Sequence, residues 1–278
     1  MRYRIRHHTV YRYAEPVRRS VHELRLAPRS GPLQAVHGWQ IAAPGRLSEA
    51  RDGFGNIVHS FTLGAPSDTI GITAWGEVEV LGMQAGTHGA FQDAGADGEV
   101  RVSPLYFLSA TPLTAAPAPL RAFAAPFLAA RRDVPALLAL AAAVAARVRY
   151  QPNATSVDTA AAEAFARGAG VCQDQAQVMV AACRSLGIPA RYVSGYFYDP
   201  KAEALASHAW ADICLDAGRG LWCSIDVTHR CLTGGRHVRL AVGRDYPSAA
   251  PIRGVREGGS GEALSVRIEI MPAQAGAA

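Results

Sequence analysis

Cys172, His208 and Asp226, met in that order along the chain, are the side-chain types that acyl transfer through sulfur requires. They supply a thiol nucleophile, an imidazole base and a carboxylate to orient it. Cys172 lies in Gly170-Val171-Cys172-Gln173-Asp174, where a loop is expected to enter a helix. Unpaired N–H groups and the helix dipole at such a start favour thiolate over thiol. Asp174 opposes that effect while suiting a first helical turn, so spacing alone leaves the sign of the net shift open. The plain alternative for a cysteine is a buried small residue, the role expected of Cys183, Cys214, Cys223 and Cys231.

His208, in Ala206-Ser207-His208-Ala209-Trp210, opens an expected strand on which Trp210, Asp212 and Cys214 share its face. In the next strand Leu221, Cys223, Ile225 and Val227 point one way, and Trp222, Ser224 and Asp226 the other. A hairpin turning through Asp216-Ala217-Gly218, with Leu215 paired to Arg219, sets His208 directly opposite Asp226. Cross-strand Cβ atoms are then roughly 4.5–5.5 Å apart, within reach of an imidazole–carboxylate hydrogen bond. Asp226 would fix the tautomer of His208, and the other ring nitrogen would face the thiol.

Trp210 and Trp222 flank this constellation and Gln173 adjoins the thiol, so all three are candidates for a substrate groove, with burial in the core as the alternative for each indole. Cys223, His229, Cys231 and His237 are close in sequence but lack a CxxC pair and alternate among faces. A zinc site is not expected from that pattern, nor any other metal or cofactor.

The elements that must position these residues fall into two groups. Residues 1 to about 104 carry short alternating runs separated by Gly, Pro and Asp, the pattern of antiparallel strands. Arg2, Arg4 and Arg6 alternate with Tyr3 and Ile5 in a first strand, and further strands are expected at 35–41, 57–63, 70–74 and 78–81. Asp52-Gly53-Phe54-Gly55-Asn56 reads as a turn. A Pro/Ala-rich stretch at 109–119 reads as a linker. Beyond it Leu137, Leu140, Val144 and Val148 recur at helical spacing, a short helix fits 159–167, and a third runs from Cys172 to Leu186 until Gly187 and Pro189 stop it. Strands follow at 192–198, 207–215 and 221–227. The fold class is therefore α+β, with an N-terminal β domain at 1–108, a linker at 109–119 and a second domain at 120–278.

Composition excludes several function classes. At 278 residues, 49% hydrophobic and 18% charged, the chain can bury a substantial core and is not a disordered tail. Its net charge of +5 is spread without any Lys/Arg block, so no nucleic-acid partner is expected. The opening Met1-Arg2-Tyr3-Arg4-Ile5-Arg6 lacks an apolar signal region, and the longest apolar run, 134–146, is too short for a bilayer. These features lead to the expectation of a cytoplasmic protein without membrane partners, in which five cysteines remain free thiols.

Gly170-Val171-Cys172-Gln173-Asp174, with the downstream run from Cys183 to Tyr196, resembles the cysteine segment of bacterial transglutaminase-like proteins. Ser207-His208-Ala209-Trp210 is similar to their histidine motif and Asp226-Val227-Thr228-His229 to their aspartate motif, in the same order. Residues 1 to about 104 resemble the β-sandwich that precedes that family's papain-like core, and the run from His237 to Tyr246 resembles the segment before its last strand. Departures are Gln175 and Gln177, where relatives carry an aromatic residue and a histidine, and Val227 and His229, which replace Pro and Asn. His229 is thereby placed to compete for the Asp226 carboxylate. The resemblance implies a Cys172 nucleophile served by His208 and Asp226, acting on a peptide or protein substrate through a thioester. Hydrolysis, transamidation of protein glutamine and a catalytically silent binding module remain open as outcomes.

Overall fold

The computed structural model of the chain describes residues 1–81, 89–93, 102–128, 132–202 and 206–273. Its first element, β1 (Arg2–Ala27), runs 26 residues and follows the expected alternation, with Tyr3, Ile5, His7 and Thr9 inward and Arg2, Arg4 and Arg6 in solvent. There follow β2 (Gln34–Ala42), β3 (Ser48–Arg51), β4 (Ile57–Thr62), β5 (Ser67–Val80) and the short β6 (Ala90–Gln92). The stretches expected as two strands at 70–74 and 78–81 are thus one. Its Gly76 lies so close to Gly38 and Trp39 that a Cβ there would meet the Gly38 carbonyl at 2.1 Å.

After two 3-10 turns at Pro104–Leu108 and Pro112–Thr114 come α1 (Ala118–Leu128), α2 (Val134–Arg147), β7 (Arg149–Tyr150), α3 (Ala161–Arg167), β8 (Ala169–Gly170) and α4 (Cys172–Ser185). The chain continues through β9 (Ala190–Phe197), β10 (Ser207–Asp216), β11 (Leu221–Asp226), β12 (Cys231–Leu232), β13 (His237–Gly243), α5 (Tyr246–Ala249), β14 (Ile252–Gly258) and β15 (Ala263–Pro272). The class is α+β, built on antiparallel curled sheets.

The first sheet has seven strands in the order β2-β5-β1-β4-β3, with β14 and β15 also paired to β1. The front half of β1 lies between β5 and β15 and its back half between β4 and β14, so one long strand carries both halves of the layer. Tyr3, Leu24, Ile70, Ile72 and Val78 fill the enclosed core together with Ile268 and Ile270. Some strand pairings cross the expected division at 109–119. Residues 252–272 belong to the N-terminal sheet, and β6 pairs with β11 in the other one. Nor is 109–119 a free tether, because Thr114 is buried and accepts a 2.7 Å hydrogen bond from Arg184 at the end of α4.

The second sheet runs β12-β11-β10-β9-β13, with α4 packed on β9 and β10. Val178, Met179, Ala182 and Cys183 of α4 meet Ala211, Ile213, Cys223, Ile225 and Val227, and Leu137, Leu140 and Val144 of α2 close the same core. Each aliphatic side chain buried there contributes about 1.5–3 kcal/mol. The outer edge of β13 is covered by two amide side chains from the N-terminal region. Gln34 donates to the Arg239 carbonyl at 2.9 Å and accepts from its N–H at 2.8 Å. Asn56 does the same for Val242, at 2.7 and 2.8 Å, so the expected turn at 52–56 also caps a sheet edge.

Candidate active site

Cys172 is the first residue of α4, and the chain before it is held on both sides. β7 pairs with β8 in parallel, Tyr150 beside Gly170, and the Gln151 N–H donates to the Gly170 carbonyl at 2.7 Å. Asp174, ambivalent in sequence, folds back to accept the Val171 N–H at 2.7 Å and the Thr155 hydroxyl at 2.6 Å. Burial raises its pKa although those two hydrogen bonds pull the other way. Glycine is required at 170, since a Cβ there would lie 2.6 Å from the Asp174 carboxylate. The half-buried Cys172 packs against Ala176, Tyr192, Ala209 and Tyr246, with half-exposed Tyr150 beside it.

His208 stands at the start of β10, buried, with Nε2 2.7 Å from Asp226 Oδ2. The Cys172 thiol acts on the same ring, and with Nε2 on Asp226 it is Nδ1 that is left for the sulfur. Burial works against a charge on this imidazole, but its interactions with Asp226 and Cys172 outweigh it and hold the pKa well above the ordinary histidine value. Asp226 has no exposed surface and, despite the desolvation cost, its pKa lies far below the usual carboxylate range because His208, His229 and His237 all hydrogen-bond to it.

The two strands reach this arrangement in a register different from the expected one. β10 and β11 pair Ala211 with Ile225 and Asp212 with Ser224, and a bulge lies between Cys214 and Asp216. Continued outward, this ladder sets Asp226 across from Trp210, a diagonal neighbour of His208. The two-residue slide preserves the period of two, so both side chains stay on one face. What the hairpin reading lacked is the longer turn, which pairs Asp216 with Leu221 in place of Leu215 with Arg219, and the bulge behind it.

The groove assignments divide. Trp210 is 1% exposed and Trp222 2%, so neither lines a substrate surface. Their face of the sheet is closed by other segments: Trp210 crowds Gly195, where a Cβ would meet its ring at 2.4 Å, and Trp222 stacks edge-on with Phe107 under the Arg191 guanidinium. Gln173 does adjoin the thiol, and its amide holds the Val157 carbonyl at 3.1 Å.

Residues 3–79 match the family described as the bacterial transglutaminase-like N-terminal region, and residues 121–227 match the transglutaminase-like superfamily. An uncharacterised protein of Mycobacterium tuberculosis is 32% identical, over 98% of this chain and 93% of its own length. One of Mycobacterium leprae is 31% identical, over 97% and 98% respectively. The chain belongs to the transglutaminase-like superfamily. Among solved structures, a candidate cysteine protease from Cytophaga hutchinsonii superposes with a TM-score of 0.73 over 98% of this chain and 90% of its own, at 18% identity, a likeness of fold.

Within this transglutaminase-like core the departures seen in sequence have places. Gln175 donates to the Val148 carbonyl at 2.8 Å and accepts from the Thr228 hydroxyl at 2.7 Å, tying α4 to the turn that follows Asp226. Buried Gln177 donates to the Thr159 carbonyl at 3.2 Å. His229 does share the Asp226 carboxylate, with Nδ1 2.7 Å from Oδ2 and its backbone N–H 3.1 Å from Oδ1. His237, read in sequence as one of a loose group, brings Nε2 to 2.9 Å from the same Oδ2. No spacing rule could find it, because β13 reaches the site only by pairing with the far side of β9. Of that group Cys223 is buried on the opposite face, in the α4 core.

Proposed function

We propose that the chain is a cysteine acyl-transfer enzyme that hydrolyses a peptide or amide bond through a thioester on Cys172. The observation that carries this reading is His208 with Nε2 2.7 Å from Asp226 Oδ2 and its ring acting electrostatically with the Cys172 thiol at the start of α4. In the first half-reaction the Cys172 thiolate attacks the carbonyl carbon and forms the C–S bond. The backbone N–H of Cys172, left without a helical partner in the first turn of α4, donates to the oxyanion. His208 then gives its proton to the departing nitrogen as the C–N bond breaks, leaving the thioester. In the second half-reaction His208 takes a proton from water, the resulting hydroxide attacks, the C–S bond breaks, and the acid and the thiolate are released. Asp226 orients His208 throughout and stabilises its imidazolium. Hydrolysis is favoured over amine transfer by the open surroundings of the sulfur, where Tyr150 is 55% and Val157 50% exposed, so water can reach the thioester.

The experiment is iodoacetamide labelling read by mass spectrometry, followed by peptide, isopeptide and glutamine substrates with Cys172→Ala as control. Burial pushes Cys183 up to about 12 and Cys214 and Cys231 up to about 11, so near pH 7.5 these thiols stay protonated. Selective labelling of Cys172, slowed tenfold or more in His208→Ala, is expected. Labelling of Cys172 no faster than Cys231 would sink the activated nucleophile and favour a silent binding module. Amine incorporation exceeding hydrolysis would move the assignment to transamidation.

A further inference from the structure

Hydrogen-bond accounting at Asp226 leaves a surplus. A carboxylate oxygen offers about two lone-pair directions, yet three imidazole nitrogens converge on Oδ2, from His208, His229 and His237, while the His229 backbone N–H takes Oδ1. The tautomers sort them. His237 Nδ1 accepts the Gly234 N–H at 3.1 Å, so its proton sits on Nε2 and that ring can only donate to the carboxylate. His208 and His229 are not constrained in this way. Nδ1 of His208 can carry the proton toward Cys172, and Nε2 of His229, on a side chain 39% exposed, can carry it into solvent. His208 Nε2, His229 Nδ1 and Asp226 Oδ2 are therefore free to act as lone-pair donors together, and all three atoms lie within 4.8 Å of one another.

We propose that His208, His229 and Asp226 form a binding site for a zinc-type divalent transition metal. Two imidazoles and one carboxylate are a donor set that zinc accepts, with a fourth position left for water. Its tetrahedral ligands stand about 3.3 Å apart, so the two imidazole nitrogens close in while each contact with Oδ2, now 2.7 Å, opens to the same spacing. His229 can do so by sliding over Phe197, on which it stacks at 4.1 Å. His237 stays a donor to the ligating carboxylate and holds its orientation. This site differs from the sequence grouping of Cys223, His229, Cys231 and His237, which the fold takes apart.

The test titrates chelator-treated protein with cobalt(II) chloride, read by visible absorption, and then displaces the cobalt with zinc chloride. One equivalent should give the intense bands of a four-coordinate site, in the wild type and equally in Cys172→Ser. His229→Asn, which keeps an amide donor for Asp226, should weaken cobalt binding tenfold or more while its circular dichroism stays native. Zinc should displace the cobalt and abolish its bands in the wild type, and EDTA should do the same. Absence of a one-to-one cobalt spectrum, its survival in His229→Asn, or its loss in Cys172→Ser overturns the proposal. Slow, His208-independent labelling of metal-free protein would instead strike at the nucleophile and leave the cobalt result standing.

Discussion

At Asp226 ring nitrogens of His208, His229 and His237 crowd Oδ2 and the His229 backbone N–H takes Oδ1, all without access to solvent on the carboxylate. The direction in which Nδ1 of His208 points therefore depends on the whole cluster around Asp226 rather than on one contact. Asp226→Ala leaves those groups facing a cavity, at about 1–3 kcal/mol for each buried group that finds no new partner. We expect a loss of stability of at least about 3 kcal/mol on denaturant unfolding. Asp226→Asn keeps the volume but presents one amide N–H to a cluster of donors. It should fold with a smaller loss and label Cys172 at least tenfold more slowly, which separates orientation from bulk.

The start of α4 is the element that aims the sulfur. Its extent, Cys172–Ser185, was legible because Gly170 and Asp174 mark one end and Gly187 and Pro189 the other, and each acts through local backbone chemistry. Gly170→Ala puts a methyl group onto the Asp174 side chain, at 2.6 Å from Oδ2. The expected cost is about 1–3 kcal/mol for the overpacked turn, with Cys172 labelling reduced because the first helical turn has moved. Gln175→Ala acts at the other contact of α4, releasing Thr228 and the Val148 carbonyl. About 1 kcal/mol of stability should be lost, and the Cys172 labelling rate should fall while circular dichroism stays native. An unchanged rate in that variant would show that α4 and the aspartate turn hold their places without the bridge. The hairpin of β10 and β11 was less legible. Alternation placed every side chain on its proper face, but the longer turn and the bulge between Cys214 and Asp216 together slid the partners by two, and neither has a signature in this stretch.

At the scale of the whole molecule the two sheets trade strands, β6 going one way and β14 and β15 the other. A fragment of residues 120–278 leaves β14 and β15 without β1 and uncovers the Arg239 and Val242 backbone groups on β13. It should lack cooperative thermal unfolding, unlike the full chain. Between the sheets lies a buried run of charge. Arg29 and Arg191 meet Asp93 at 2.7 and 2.6 Å, and Arg191 and Arg239 meet Asp212 at 2.8 and 2.6 Å. Burial alone would raise both carboxyls, but the facing guanidinium groups outweigh it and hold both pKa values below the ordinary carboxylate range. A folded-state pKa below the unfolded value of about 3.9 stabilises the protein above that pH and is lost as pH falls toward the folded value. Denaturant midpoints should therefore hold steady down to about pH 5 and drop steeply below about pH 4. In Asp212→Ala, two guanidinium groups lose a buried partner, at a cost of about 3–5 kcal/mol near neutral pH.

The sequence by itself determined the residue types, their order, the faces on which they stand and the helix that starts at Cys172. These follow from periodicity and from local backbone chemistry, which neighbouring residues settle among themselves. Only the tertiary structure decided the strand register, the burial of Trp210 and Trp222, the return of residues 252–272 to the first sheet and the gathering of His229 and His237 on Asp226. Each of these depends on which distant segment covers a given face, and pairing between segments far apart in the chain leaves no mark in the spacing of either one.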